Sequence, residues 1–265
     1  MTGLQWLSLI AIFLATSGIS VVTGSTSLIT VPAMFQFGID ARTALATNMF
    51  ALTFMSVGGN LPFLRGTSVD RKRLPMLVIL TLAGSLSGAF LLLLIPQRSI
   101  PLIVSCAMIG VAIFSIVYRK SGAQEFRAAT SPSAEMAGYA LTFLLGIYGG
   151  FFSGGYVTIL TAVYVALFRL SFVEAVATTK IINVFSSGTA TIVFLWRHLV
   201  DFRLGSVLAL TMFVGALVGA KLAIRLGNQW LRRIFLAAVW ALGLKTLAFD
   251  VVFKSPGCST PAQAE

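Results

Sequence analysis

The sequence predicts an all-α polytopic membrane protein that consists of two homologous repeats. Hydrophobic residues make up 57% of the 265 positions and charged residues only 10%, whereas a soluble domain carries about 25% charged residues. Five stretches of at least 20 residues contain no charged residue: 1–39, 43–64, 74–97, 99–118 and 136–168. About 20 apolar residues suffice for a helix to cross a bilayer, so these stretches predict several membrane spans.

The repeats are visible because residues 14–100 resemble residues 145–231 at a constant offset of 131 positions. The matching pairs include Gly18 and Gly149, Gly24 and Gly155, Ala44 and Ala175, Thr47 and Thr178, Asp70 and Asp201, and Gly84 and Gly215. Both copies contain a long apolar stretch that glycine interrupts. Duplicated hydrophobic halves with breaks at corresponding places are typical of secondary transporters, and the breaks indicate the binding site.

The first repeat is predicted to cover 1–118, and its first helix, at 4–22, ends where 23–27 (Thr-Gly-Ser-Thr-Ser) interrupts the apolar pattern. Glycine and clustered hydroxyl residues mark such a break. The predicted helices after it are a short one at 28–38 and spans at 43–64, 74–96 and 100–118. Each repeat thus has four long helices and one short helix, which either spans the membrane or re-enters.

A polar cytoplasmic linker at 119–134 separates the repeats, and the second repeat, 135–252, follows the same order. Its predicted helices lie at 136–152, at 156–168 after a break at 153–155, and at 172–196, 204–224 and 232–250. Residues 253–265 are predicted to form a disordered tail.

The basic residues predict that the two repeats are inverted. The loop 65–73 contains four basic residues and its counterpart 196–204 two, whereas the window 90–102 contains one and its counterpart 221–233 four. Basic residues concentrate on the cytoplasmic side, so the bias changes sides, as expected for inverted repeats. The basic linker is then cytoplasmic, both termini lie outside, and we expect the bilayer to be a bacterial inner membrane.

Other functional classes find little support. The net charge of +11 suggests a nucleic-acid partner, which we reject because the basic residues lie in short loops between spans. Cys106 in a span and Cys258 in the tail predict neither a disulfide framework nor a metal site. No His-Glu-x-x-His motif is present, and Ser153 with His198 lacks the Gly-x-Ser-Gly pattern of an intramembrane protease. We expect no enzyme, catalytic residue, metal or cofactor.

The two breaks are the first candidate for a binding site. A helix that restarts at membrane depth presents free N–H groups and a partial positive charge, which together favour an anion. The candidate residues are Gly24, Ser25, Thr26 and Ser27 in the first repeat, and Gly149, Gly150, Ser153, Gly154 and Gly155 in the second. The alternative is that these glycines only allow helices to pack closely.

The spans after the breaks carry polar residues at helical spacing. Asn48, Ser56 and Asn60 share one face of the span at 43–64. Thr179, Asn183 and Ser187 do the same on the span at 172–196. Polar faces at matching positions predict two walls of one pathway, and the alternative is hydrogen bonding that holds the helices together.

Lys180 is the most specific single candidate for a substrate-binding residue. It lies about 12 Å into its predicted span, at 1.5 Å per residue, where a charge is costly and usually marks a substrate or ion pathway. The predicted spans offer no obvious acidic partner, so a bound anion could supply the counter-charge. The alternative is that the side chain extends to the cytoplasmic interface.

These motifs in this order resemble the sulfite exporter TauE/SafE family of membrane permeases. The resemblance rests on Leu-Ile-Thr-Val-Pro32, Ala-Leu-Ala-Thr-Asn48, Gly-Gly-Phe-Phe-Ser-Gly-Gly155 and Ala-Val-Ala-Thr-Thr-Lys180-Ile-Ile-Asn183. It implies export, or sometimes uptake, of small sulfur-containing anions such as sulfite or organosulfonates, driven by an ion gradient. The chain departs from the family at the first break, where Val-Thr-Gly24-Ser-Thr-Ser replaces the usual glycine cluster.

The resulting hypothesis is a secondary transporter that exports a small anion by alternating access. The expected partners are the anion, protons as the coupling ion and the lipid bilayer. Lys180 would supply charge, and Asn48, Thr179 and Asn183 would orient the substrate. The alternatives are a membrane scaffold or assembly protein that transports nothing, and a carrier of another small anion.

Overall fold

A computed structural model describes residues 3–24, 26–61, 69–120 and 131–222, and the regular structure in these ranges is helical. The helices are α1 (Gly3–Thr23), α2 (Ser27–Gln36), α3 (Ala41–Asn60), α4 (Leu74–Leu94), α5 (Ile100–Lys120), α6 (Pro132–Phe151), α7 (Tyr156–Leu167) and α8 (Phe172–Trp196). A 3-10 turn at Gln97–Ser99 precedes α5, and a further helix, α9, includes Phe202–Leu222. The predicted all-helical class is confirmed.

Several predicted boundaries match these helices closely. Helix α8 has the predicted limits, and α1 extends one residue beyond its prediction at each end. Helix α3 ends at Asn60, before the predicted 64. The last predicted span, at 232–250, and the predicted tail lie outside the described residues.

Helices α3 and α8 begin in the same way, after a residue in the left-handed conformation. Gly38 (φ 77°) follows α2, and Arg169 (φ 57°) follows α7. Two residues further on, the Asp40 carboxylate and the Ser171 hydroxyl each accept a hydrogen bond from the N–H three residues ahead, at 3.2 and 3.3 Å. These caps satisfy N–H groups that otherwise have no partner in a first helical turn, so local sequence determines where both helices start.

Glycine brings two pairs of helices into backbone contact. A methyl group added at Gly88 on α4 would overlap the carbonyl of Ile147 on α6. Likewise, a methyl group at Gly219 on α9 would overlap the carbonyl of Gly18 on α1. Small residues permit such close approach of membrane helices, so the α4–α6 and α1–α9 contacts depend on these positions.

Helices α3 and α8 pack against each other in antiparallel directions. Three side-chain hydrogen bonds join them: Thr53 with Thr191 at 3.0 Å, Asn183 Nδ2 donating to Ser56 Oγ at 2.6 Å, and Asn60 Nδ2 donating to the Lys180 carbonyl at 2.9 Å. Residue numbers rise along α3 as they fall along α8, which defines the antiparallel direction. The two predicted polar faces therefore lie against each other.

Two apolar clusters surround this central pair. The larger one contains buried side chains from α1, α2, α3, α8 and α9, among them Phe13, Met34 and Phe194. The smaller one contains Tyr156 and Tyr164 of α7 together with residues of α4 and α8. The polar face between α3 and α8 is thus enclosed by packed hydrophobic side chains.

The outer surface of several helices is apolar. Among the described residues, three helical segments are long and apolar enough to cross a membrane: Gly3–Ser20, Leu74–Leu94 and Phe202–Leu222. On α4, Ile79, Leu86, Phe90 and Leu94 are all exposed. Exposed apolar surface on this scale is unusual for a soluble monomer and matches what lipid contact requires.

Candidate functional site

A pocket lies where the two helix breaks meet α3 and α8. Its lining residues are Ser20 of α1, Gly24 of the first break, Thr26 and Ser27 at the start of α2, Leu52, Met55 and Ser56 of α3, Ser153 of the second break, Val157 of α7, and Lys180 and Asn183 of α8. Most of the polar groups are hydroxyls, and they converge from elements far apart in the sequence. A few polar groups converging in a concave site are typical of a small-ligand site.

Gly24 forms the first break in a left-handed conformation, with φ of 68°. Its N–H donates to the Ser20 carbonyl at 2.7 Å, which completes the last turn of α1. A Cβ at this position would lie 2.5 Å from Val157 Cβ. The first break therefore touches the start of α7, and glycine is required there both for its conformation and for space.

The second break is built differently. Gly155 is left-handed, with φ of 76°, and directly precedes α7. The Gly154 carbonyl accepts a hydrogen bond from the Tyr148 hydroxyl, and a Cβ at Gly155 would press on Val111 of α5. These two glycines are packed among apolar side chains, and Ser153 is the residue of this break that faces the pocket.

The starts of α2 and α7 both reach the pocket. The N-cap residue Thr26 and the first residue, Ser27, of α2 line the pocket, and so does Val157 in the first turn of α7. The first N–H groups of a helix lack partners within it and carry a partial positive charge. Two such starts at one pocket therefore supply hydrogen-bond donors suited to an anion.

Lys180 is buried in the pocket wall, with 8% of its surface exposed. In the described ranges it is the one charged residue among the buried side chains, and the ion pairs found there join other residues. Asn60 holds its carbonyl from α3. The predicted depth of Lys180 therefore corresponds to a position inside the protein rather than at an exposed helix end.

Asn183 lies one helical turn after Lys180 and also lines the pocket. Its Nδ2 donates to Ser56 Oγ at 2.6 Å. Its Oδ1 is buried and accepts no hydrogen bond from the described residues. One wall of the pocket thus contains a cation and a spare acceptor on the same helix face.

Asn48 and Thr179 lie outside the lining. Asn48 Nδ2 donates to Ser27 Oγ at 2.9 Å, and its Oδ1 accepts from Thr30 at 2.7 Å. Thr179 bonds Thr161 of α7 at 3.1 Å. Both residues join a short helix to the long helix that follows it, so they support the pocket wall without lining the pocket.

The structure thus brings five of the ten predicted site residues to the pocket: Gly24, Thr26, Ser27, Lys180 and Asn183. Asn48, Gly154, Gly155 and Thr179 pack outside its lining, and Ser25 lies outside the described residues. Sequence reasoning missed Ser20, Leu52, Met55 and Val157. Leu52 is four residues from Asn48 and from Ser56, so helical spacing could have identified it.

A second polar group lies at the linker end of α6. Arg73 contacts Asp70 at 2.7 Å and Glu135 at 2.8 Å, and its guanidinium lies 5.3 Å from the centre of the Phe168 ring. Glu135 precedes the predicted span at 136–152. Hydrogen bonds from Arg73 and then Tyr139 lower the pKa of the Glu135 carboxyl. This cluster ties the starts of α4 and α6 together, away from the pocket.

The described residues form no group of three or more His, Cys, Asp or Glu side chains that could hold a metal ion. Cys106 is a free, exposed thiol on α5. The chemistry within the described pocket is therefore that of hydroxyls, amides, helix starts and one ammonium group.

Apolar helices around a buried polar pocket define the class of an integral membrane protein. The model of the family Sulfite exporter TauE/SafE matches residues 9–246. The chain therefore belongs to this family, as its motifs predicted.

Curated relatives carry related names. "Probable membrane transporter protein ORF9" of Sinorhizobium sp is 27% identical over 229 residues, 86% of each chain. "Probable membrane transporter protein YfcA" of Escherichia coli K12 is 25% identical over 228 residues, 85% of this chain and 83% of that one. No solved structure matches significantly. The family and these names support a membrane transporter rather than an enzyme.

Proposed function

We propose that the protein is a secondary transporter that exports a small sulfur-containing anion, such as sulfite or an organosulfonate. The observation that carries the proposal is Lys180, a buried cation in a pocket at two helix breaks with no described carboxylate beside it. A buried charge without a partner is costly. An anion in the pocket would supply the missing counter-charge.

The rest of the lining suits a small oxyanion. The starts of α2 and α7 offer backbone N–H donors, and Ser20, Ser56 and Ser153 offer hydroxyls. Compact oxyanions present several acceptor oxygens and little apolar surface, so short donors from several directions match them. The family's description as a sulfite exporter supports sulfur oxyanions over other members of this class.

We further propose that the protein consists of two inverted repeats, 1–118 and 135–252, joined by a cytoplasmic linker. Contacts at positions 131 apart support this division. The Asn48–Thr30 bond of the first half corresponds to the Thr179–Thr161 bond of the second. The caps at Asp40 and Ser171 also correspond, and α3 runs antiparallel to its counterpart α8.

In this proposal the pocket opens alternately to the two sides of a bacterial inner membrane. Site residues come from both halves, as expected for a substrate site at a repeat interface. A proton gradient would drive export. Both termini would lie outside, and the basic linker inside.

The proposal is tested by flux in proteoliposomes. Sulfite, an alkylsulfonate, thiosulfate and acetate are offered under an imposed proton gradient. Wild type is compared with Lys180→Gln and with Lys221→Gln, which changes an exposed lysine on α9. We expect selective flux of a sulfur anion that Lys180→Gln reduces at least tenfold, because the counter-charge is lost, and that Lys221→Gln retains.

Two results would contradict the proposal. Folded wild-type protein that moves none of these anions would favour the scaffold function. Normal affinity in Lys180→Gln for every transported anion would leave the transport function standing but remove Lys180 from the site.

A further inference from the structure

We infer that the pocket selects a singly charged oxyanion that carries a hydrogen-bond donor, which for sulfite is the hydrogen sulfite form. This inference rests on the proposed function and names the ionic form of its substrate. The inference rests on two features of the pocket wall. Lys180 supplies one formal charge, and Asn183 Oδ1 is a hydrogen-bond acceptor without a donor among the described residues.

The formal charge of the described lining is set by one residue. Of its eleven residues, Lys180 is the ionisable one, and the others are hydroxyl, amide, glycine or apolar residues. The helix starts add donors but no net charge, since the positive start of each helix is balanced by its negative end. A monoanion would be neutralised by Lys180, whereas a dianion would leave one buried charge uncompensated.

The unpaired acceptor is Asn183 Oδ1. The amide is oriented by its Nδ2 bond to Ser56 at 2.6 Å, which leaves Oδ1 buried and without a donor among the described residues. A buried acceptor with no donor is destabilising. The proton of hydrogen sulfite could satisfy it, whereas sulfite or sulfate dianions present only acceptor oxygens.

The inference also bears on coupling. In the described ranges the buried side chains include no aspartate or glutamate that could carry a proton beside the pocket. A protonated anion brings its own proton across the membrane. Because this proton would leave with the exported anion, the inward-moving proton that drives export in the proposed function must be a separate one.

The first test compares sulfite with methanesulfonate in proteoliposomes of the full chain at pH 6 and pH 8.5. Sulfite loses its proton over this interval, whereas methanesulfonate stays singly charged. We expect the apparent affinity for total sulfite to fall about fivefold or more and that for methanesulfonate to change less than twofold. Methanesulfonate also controls for titration of the protein, and Lys180→Gln liposomes control for leakage.

The second test is Asn183→Leu, which removes the acceptor at similar volume. We expect it to lower the affinity for sulfite at pH 6 about fivefold or more and to leave methanesulfonate within twofold. Equal weakening for both anions would make Asn183 a merely structural residue and overturn its role. The wild-type pH comparison does not depend on this variant.

Three further results would support or overturn the inference. Sulfite affinity that rises with pH, or sulfate that competes as well as methanesulfonate, would overturn the inference while the transport function stood. Flux of neither anion would remove the transport function and the inference together. Inhibition by methanesulfonate but not by sulfate would support selection of the monoanion.

Discussion

The two helix breaks occupy equivalent sequence positions but serve the pocket in different ways. The first break contributes Gly24, Thr26 and Ser27 to the lining. The second contributes Ser153, while Gly154 and Gly155 are enclosed by Tyr148, Phe152 and Val111. The first break thus forms part of the polar pocket wall, whereas the glycines of the second break pack among apolar side chains and support that wall. The difference teaches that two breaks with left-handed glycines of similar φ, 68° and 76°, can present different side chains to one pocket.

Alanine at either left-handed glycine should give the largest effects. Gly24→Ala and Gly155→Ala each place an L residue at positive φ, which costs about 1–2 kcal/mol, and each added methyl overlaps a valine. We expect both variants to unfold at lower temperature in detergent. Gly110→Ala is the matched control, because nothing lies within 4 Å of its added methyl.

Ligand binding then separates the two breaks. In the protein that remains folded, Gly24→Ala should weaken anion affinity because its methyl enters the lining, and Gly155→Ala should not. Equal affinity losses would mean that the second break also contacts the substrate directly.

A smaller effect is expected from the serines of the two breaks. Ser27→Ala leaves the buried Asn48 amide without its acceptor, which costs about 1–3 kcal/mol of stability. Ser153 makes no hydrogen bond to a described side chain, so Ser153→Ala should change stability by less than about 0.5 kcal/mol. Chemical unfolding of both variants checks this order, with exposed Ser87→Ala as the control. A larger loss for Ser153→Ala would reverse the proposed division.

The smallest effect concerns the helix that leads into the second break. Arg73 pairs with Glu135 at the start of α6, whereas the positions offset from these two residues by 131 carry Leu204 and Leu4. Glu135→Gln should lower the unfolding temperature slightly, because partly exposed pairs contribute little. The unfolding temperatures of wild type and variant are compared from pH 7 to pH 3.

The pH dependence of this pair has a definite sign. Arg73 lowers the pKa of the Glu135 carboxyl in the folded protein. The pair therefore stabilises the protein above the unfolded pKa of the carboxyl, and this stabilisation disappears as the pH falls through the lower folded value. A difference between wild type and Glu135→Gln that does not shrink as the pH falls from 7 to 3 would contradict the ion pair as its cause.

The sequence predicted most of the helices because their signals are local. Asp40 and Ser171 are residue types that favour the N-cap of a helix, and the uncharged stretches are long. The limits of α8 and the start of α3 could therefore be predicted from the sequence. Periodicity also identified the polar faces of α3 and α8. It could not tell which polar residue faces the pocket and which bonds a neighbouring helix, and so Asn48 and Thr179 were placed in the site.

The remaining lining residues carry no chemical signal of their own. Leu52, Met55 and Val157 are apolar, and their position in the pocket depends on how α2, α3 and α7 meet in three dimensions. The Lys180 environment is the reverse case. A lysine in an apolar span is rare enough that the sequence alone identified it, and the structure adds the Asn60 bond and the unpaired Asn183 oxygen.

The three hydrogen bonds between α3 and α8 have a mechanical consequence. They join α3, over its C-terminal part from Thr53 to Asn60, to the part of α8 from Lys180 to Thr191. The two helices can therefore move together as one rigid unit that includes Ser56, Lys180 and Asn183. Movement of the short helices α2 and α7 would then expose the pocket to one side of the membrane or the other. Side-chain hydrogen bonds join α2 to α3 at Asn48 and Met55, and α7 to α8 at Thr179.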